Sequence, residues 1–286
     1  SRSCGVLVKV SGSLPSPWNY AAFGYDSITL TGNAETDSYD SRLGTYLETV
    51  IGWGHPDAIT QGGHVGTNSI SNSAVNFNGN HSRVSGRIDI GKNGVQSSVV
   101  GGTAGSNYPV GDGAVVSLTA TVAKPPVTVP ALPAGSFSTS GVLPSGYSYG
   151  KIQLSGSNTL TLGNGVYVFD GLKLAGNAKL VLAPGASAEV YVSGNNNGGL
   201  DLAGNGVMNH GGIAKNLTFY IGPNLTNEIS VTGNGNAYYR VYAPYTPVKI
   251  AGNGDIFGSV IGKTVRNVGN GKIHYDRANN EESPPP

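Results

Sequence analysis

One short phrase recurs along this chain and restricts its fold more than any other feature. It joins a strand-like triplet with β-branched or leucine ends to a small residue and then Gly-Asn. The copies are Ile28 to Asn33, Val75 to Asn80, Leu172 to Asn177, Leu200 to Asn205, Ile229 to Asn234 and Val248 to Asn253, with looser ones at Ile152 to Asn158 and Val268 to Asn270. From Gly156 onward the phrase glycines are spaced by 20, 28, 29, 19 and 17 residues. That is a repeat of 17–20 residues with two insertions of about nine, and periods of this size belong to repeat folds in which each unit covers its neighbour. The sequence therefore predicts an all-β protein, a parallel β-helix (β-solenoid) with coils of about 17–20 residues and a Pro-rich strap.

Period-two alternation puts Ile28 and Leu30, Leu172 and Leu174, Leu200 and Leu202, and Val248 and Ile250 on one face, with Thr29, Lys173, Asp201 and Lys249 on the other. Other short alternating runs, such as Val6 to Val10, Glu189 to Val192 and Leu217 to Ile221, are bounded by Gly, Asn or Pro, as strands are. The Gly-Asn pair supplies the backbone a sharp turn requires, because Gly accepts positive φ freely and Asn tolerates it. Stacked at about 4.8 Å, asparagines of successive turns can hydrogen-bond as a ladder. Its expected members are Asn33, Asn80, Asn158, Asn177, Asn205, Asn234, Asn253 and Asn270. The pairs Asn93-Gly94, Asn164-Gly165 and Asn205-Gly206 keep an antiparallel sandwich open as the alternative.

Five segments are predicted. Residues 1–17 carry a strand outside the repeat, with Val6, Val8 and Val10 as a candidate assembly strand exchanged with a partner. Residues 18–123 and 138–276 form the two parts of the repeat array, and the Pro-rich stretch 124–137 lies between them as a strap or linker. Residues 277–286 form a polar tail ending in prolines, expected to fray or to lie against a neighbour.

Charge is sparse and balanced, with 17 basic and 16 acidic residues. Such a chain lacks the basic face that nucleic acid or an anionic membrane requires. No apolar run reaches the roughly 18 residues of a membrane span. With Cys4 as the single cysteine, no internal disulfide forms. The chain starts at Ser1 and is expected to be a processed fragment whose targeting segment has been lost or lies in another chain. A surface rich in Asn, Thr and Gly, with few charges, points to an extracellular protein.

Catalysis on a β-helix requires clustered carboxylates, and here the acids are scattered, with Asp170, Asp201 and Asp255 in different repeats. No catalytic residue is assigned, and no cofactor is expected apart from calcium. His64 and His274 read as surface or packing histidines, and Asn209-His210-Gly211-Gly212 as a turn. The one acidic cluster, Glu35, Asp37 and Asp40, is a candidate calcium site, because three carboxylates plus carbonyls approach the six to eight oxygens calcium takes. Tyr238, Tyr239, Tyr242 and Tyr245 are candidates for stacking on glycans or anchoring a protein interface, with packing against the Pro-rich strap as the plainer role.

Several passages carry a family likeness. They are Trp18-Asn19-Tyr20-Ala21-Ala22-Phe23-Gly24, Asp37-Ser38-Tyr39-Asp40-Ser41, Gly63-His64-Val65-Gly66-Thr67-Asn68, Gly165-Val166-Tyr167-Val168-Phe169, Val241-Tyr242-Ala243-Pro244, the stretch Gly252 to Lys263, and Gly269 to Asp276. In their order, across residues 18 to 276, the chain resembles the extracellular solenoid domain of bacterial PilX-like, type IV pilus-associated assembly proteins. The resemblance implies a structural role at a pilus or cell surface and brings no catalytic residues. It also implies a pilin-like hydrophobic helix, here removed or supplied by a separate short subunit. The leading expectation is a non-enzymatic extracellular structural protein that builds or decorates a surface filament and associates with other subunits through solenoid edges or strand exchange. A carbohydrate-binding adhesin and a polysaccharide-active enzyme are the alternatives.

Overall fold

The computed structural model describes residues 16–51, 61–79, 81–102, 115–138, 141–203, 207–209, 211–231 and 235–281. The candidate strand Val6 to Val10 lies outside the described residues, as do Asn80, Asn205, Asn234 and the tail beyond residue 281. The protein is all-β, and every strand pair among the described residues is parallel. The antiparallel sandwich is thereby excluded for this part of the chain. Its Asn-Gly signals mark turns between strands that do not pair with each other: Asn93 takes φ +65° and Gly165 φ +130°.

Register follows the repeat spacing. Ile152 opposes Leu172, Leu172 opposes Leu200, Ile229 opposes Val248 and Val248 opposes Val265. The residues predicted inward, from Ile28 and Leu30 to Val248 and Ile250, are all buried in one aliphatic core, while Lys173 on the opposite face is exposed. Each fully buried Leu or Ile contributes on the order of 1.5–3 kcal/mol.

The order of the ladder departs from the order of the chain. One column runs Tyr147, Tyr167, Val190, Phe219, Val241, Val260 and then continues to Ala22, Val65, Ile88 and Val115. The strand Ala22–Thr31 thus stacks on Ile256–Asn267, and the N-terminal part of the chain continues the ladder from the last rung of the C-terminal part. Residues 118–134 must then travel back from one end to the other. Ten strands at about 4.8 Å span roughly 43 Å, and sixteen extended steps at about 3.1 Å cover roughly 50 Å. The Pro-rich segment fits this distance, and it holds no helix or strand apart from one bridge, Ala134 to Ser148.

The start of the polar tail is packed rather than frayed. Arg277–Glu281 forms a 3-10 turn beside the Pro17–Asn19 turn, with Ala278 and Asn279 buried, because the ladder order brings the first and last rungs together.

Backbone stacking at the turns explains the glycines. A Cβ on Gly269 would lie 2.2 Å from the Gly252 carbonyl oxygen, and one on Gly79 would lie 2.4 Å from that of Gly32. Gly150, on the strand Tyr147–Leu154, has nothing within 4 Å of such a Cβ. Gly269→Ala is therefore expected to destabilise the protein by about 1–3 kcal/mol. Gly150→Ala is expected to be neutral or to stabilise by up to ~1 kcal/mol. Paired thermal denaturation curves check this, and equal losses for the two variants would contradict close stacking at the turn.

Candidate functional site

The largest described cleft, about 530 Å³, opens where the N-terminal rungs meet the strap, and is lined by Asn19, Tyr20, His64, Arg87, Asp89 and Val116 to Thr119. Two of its lining residues, Asp89 and Val116, belong to a column that the register of four successive strands continues through Gly66 and Phe23. Gly66 is essential to the geometry: a Cβ there would sit 2.7 Å from the Tyr20 ring. Its bare backbone lets that ring lie across the strands, so that the Tyr20 hydroxyl donates to Asp89 Oδ2 at 2.7 Å.

Arg87 immediately precedes the strand Ile88–Ile90 and Asp89 lies on it, and extended alternation turns both outward on either side of Ile88. Arg87 donates through Nε to Asp89 Oδ1 at 2.6 Å and through Nη2 to Oδ2 at 2.9 Å. The Asp89 side chain is 2% exposed and that of Arg87 40%. Burial, with the Asp89 carboxylate adjacent, holds the Tyr20 hydroxyl far above its usual range, so it remains a donor. His64 Nδ1 accepts the Arg87 backbone N–H at 2.8 Å, which places the histidine in the wall. Asp89 is the only carboxylate among the described lining residues and it already accepts three hydrogen bonds. The cleft thus has no carboxylate pair for glycoside hydrolysis.

A second polar cluster lies where the two parts of the chain meet. His274 is buried, with Nδ1 2.5 Å from Asp37 Oδ1 and Nε2 3.5 Å from Asp255 Oδ2. Tyr46 donates to Asp37 Oδ2 at 2.7 Å, Phe257 stacks on the imidazole at 4.6 Å, and Lys272 Nζ lies 2.6 Å from Glu35. Burial pushes the His274 pKa down, but hydrogen bonds to Asp255 and Asp37 and the charges of both outweigh it, so the net shift is upward. Asp255 is also pushed up by burial, but hydrogen bonds from His274 and the Lys272 backbone bring it below its ordinary value.

This pairing explains why the acidic cluster read as a calcium site is not assembled as one. Glu35 turns to Lys272, Asp37 to His274 and Tyr46, and Asp40 to Arg42 at 2.6 Å. The basic residues beside them, Lys272, His274 and Arg42, draw the three carboxylates to separate partners. No group of three or more metal-ligating side chains occurs among the described residues.

The tyrosine platform is also corrected, by burial. Tyr239 points into the core, fully buried, with its hydroxyl donating to the Val231 carbonyl. Tyr242 is buried beneath the strap and donates to the Pro125 carbonyl at 2.8 Å. Tyr238 stacks on Phe257 at 4.5 Å. Tyr245 remains exposed, with Lys124 Nζ 4.8 Å from its ring and 4.9 Å from that of Tyr25. The strap covers an aromatic stripe containing Trp18, Tyr25, Tyr191, Tyr220 and Tyr242, which is the packing role weighed for Tyr242.

Of the turn asparagines, three form a ladder across the joint. Asn270 donates to Asn253 Oδ1 at 3.1 Å and Asn33 donates to Asn270 Oδ1 at 3.0 Å. Asn158 instead offers its backbone carbonyl to Lys179 N at 3.0 Å. Asn177 lies in the equivalent turn of the next repeat, behind Gly176 at φ +65°.

Residues 147–282 are similar to a family described as a domain of unknown function, DUF7305. The match runs from the strand Tyr147–Leu154 to the turn Arg277–Glu281, the part in which ladder order and chain order agree. No curated protein matches the chain, and no solved structure matches it.

The cluster at the joint carries a pH signature. Protonated His274 contributes stability that is complete below its unfolded value near 6.5 and is lost as pH rises through the higher folded value. Asp255 contributes above its unfolded value of 3.8 and loses that contribution as pH falls through the lower folded one. The melting temperature of His274→Gln should fall furthest below wild type at about pH 5–6, with the gap narrowing toward about pH 9. A gap independent of pH would contradict a charged His274.

Proposed function

We propose that this chain is a β-solenoid of the parallel β-helix type, serving as a non-enzymatic structural unit that builds or decorates an extracellular surface filament. The observation that carries this reading is the ten-strand parallel column, whose two ends both expose apolar side chains. Val116 is 40% exposed at one end, beside Val95 at 63%, and Val142 (58%) and Tyr147 (39%) are exposed at the other.

A strand at the end of such a column presents unpaired backbone groups as a template for another chain. Because every strand runs in the same direction, the end formed by Val115–Ser117 can continue onto the end formed by Tyr147–Leu154 of a second copy. Such a contact joins two different surfaces and propagates instead of closing. The strap pairs with part of the second end, since Gly135 N donates to the Ser148 carbonyl and Ser148 N to that of Pro133, both at 2.8 Å. The stretch Lys151 to Leu154 is then the part of that edge offered to a neighbour. The sparse charge and the likeness to pilus-associated solenoids support a surface location, with a separate hydrophobic pilin-like subunit as the partner that anchors it. No helix among the described residues is long and apolar enough to cross a membrane.

Sedimentation across a concentration series, together with electron microscopy of native material, tests the proposal. Wild-type protein should form longer species as concentration rises, and Val116→Lys with Val142→Lys should shift that onset at least tenfold upward. A monomer at every concentration, with no filament labelled in native material, would reject the assembly.

A further inference from the structure

The filament reading uses the cleft over Asp89 only at its edge, through Val116 and Ser117, and the composition of the cleft narrows what it can hold. Among the described lining residues the one acid and the one fully charged base, Asp89 and Arg87, are paired with each other, so these residues carry little net charge. A cleft built for phosphate or carboxylate ligands keeps an excess of cations, and one built for cations keeps unpaired acids. This one has neither.

Its rim offers neutral and paired hydrogen-bonding groups: Asn19, His64, Ser117, Thr119 and the partly exposed Arg87 guanidinium. Val116 and Leu118 supply an apolar wall on the same side. The polar groups are held from behind. Arg87 is fixed by two bonds to a buried carboxylate, Asp89 is fixed by Tyr20, and the His64 ring is fixed by the Arg87 backbone. A small number of fixed polar groups beside an apolar surface in a concave site is the general form of a small-molecule pocket. A ligand that matches it is uncharged, has several hydroxyls acting as both donors and acceptors, and has one C–H-rich face.

We infer that the cleft bounded by Asn19, His64, Arg87 and Val116 to Thr119 binds an uncharged sugar unit of a glycan. Arg87 and His64 engage its hydroxyls, and Val116 and Leu118 pack against its apolar face. The site shares Val116 and Ser117 with the strand proposed for end-on assembly, but Asn19 and Thr119 lie outside that strand, so changes at these two test binding without altering the assembling edge. It also replaces the buried tyrosines as the place where this protein meets a carbohydrate.

The test uses the whole chain on an array of immobilised neutral and acidic oligosaccharides, with affinities for the retained glycans measured by titration calorimetry. Thr119→Trp fills the exposed rim of the cleft and leaves the Tyr20, Arg87 and Asp89 network intact. Asn19→Ala removes one rim group. Neutral glycans should be retained, with affinity at least tenfold lower in Thr119→Trp, several-fold lower in Asn19→Ala, and the melting temperature of both unchanged. Retention of acidic glycans alone would overturn the assignment to an uncharged sugar. No retained glycan, or equal retention by a folded Thr119→Trp variant, would overturn the site itself.

Discussion

The structure depends on parallel backbones lying in register at strand spacing, with backbone pressed against backbone at some of the turns. Each rung pairs its N–H and C=O groups with the rungs on either side, so a turn that cannot approach its neighbour disrupts the ladder on both faces. Hence Gly269 presses on Gly252 and Gly79 on Gly32, leaving no room for a Cβ. The aliphatic columns stabilise the interior, but the turn glycines determine whether the rungs can come close enough to form it. The Asn253, Asn270 and Asn33 side chains then pair across the same turns and fix their register.

The joint between Ile256–Asn267 and Ala22–Thr31 is held differently from the other rungs. Elsewhere the chain itself connects one rung to the next. At the joint, side chains supply the link: Thr31 to the Asn267 carbonyl, Ser259 to that of Tyr20, Tyr275 to that of Trp18, and the ion pairs of Glu35 and Asp37. Buried His274 and its buried partner Asp37 are costly to desolvate, and with the half-buried Asp255 their specific contribution is to fix which rung meets which. The strap adds a second link. Tyr25 from one part and Tyr242 from the other both donate to its carbonyls, at Ala123 and Pro125.

Much of this was legible in the sequence, and what was not has a physical reason. The spacing of the Gly-Asn phrase gave the register directly, because Leu172 and Leu200 oppose each other as their separation requires. Alternation gave the buried face for the same reason. The order of the two parts did not follow, since identical phrases at Asn33 and Asn270 carry no mark of which lies above the other. The fate of the tyrosines was half visible. Alternation separates Tyr239 from Tyr238 and Tyr242, but only tertiary structure lays the strap over the outer pair of Tyr25 and Tyr242. The cleft was missed although Arg87-Ile88-Asp89-Ile90 places an acid and a base on one outward face. Its third member, Tyr20, reaches them across Gly66 from just after the Pro17–Asn19 turn, nearly seventy residues away, and no local pattern reports that contact.

The inverted order of the rungs has a consequence for biosynthesis. Translation produces Ala22–Thr31 first, yet the surface on which it rests is made by Ile256–Asn267, more than 200 residues later in the chain. Until then the early strands have an unsatisfied edge on the side where the joint will form, and such edges are prone to mispairing. The later repeats, by contrast, can each zip onto the one just completed. Completion of Ile256–Asn267 is therefore the step at which the early strands can first gain their support.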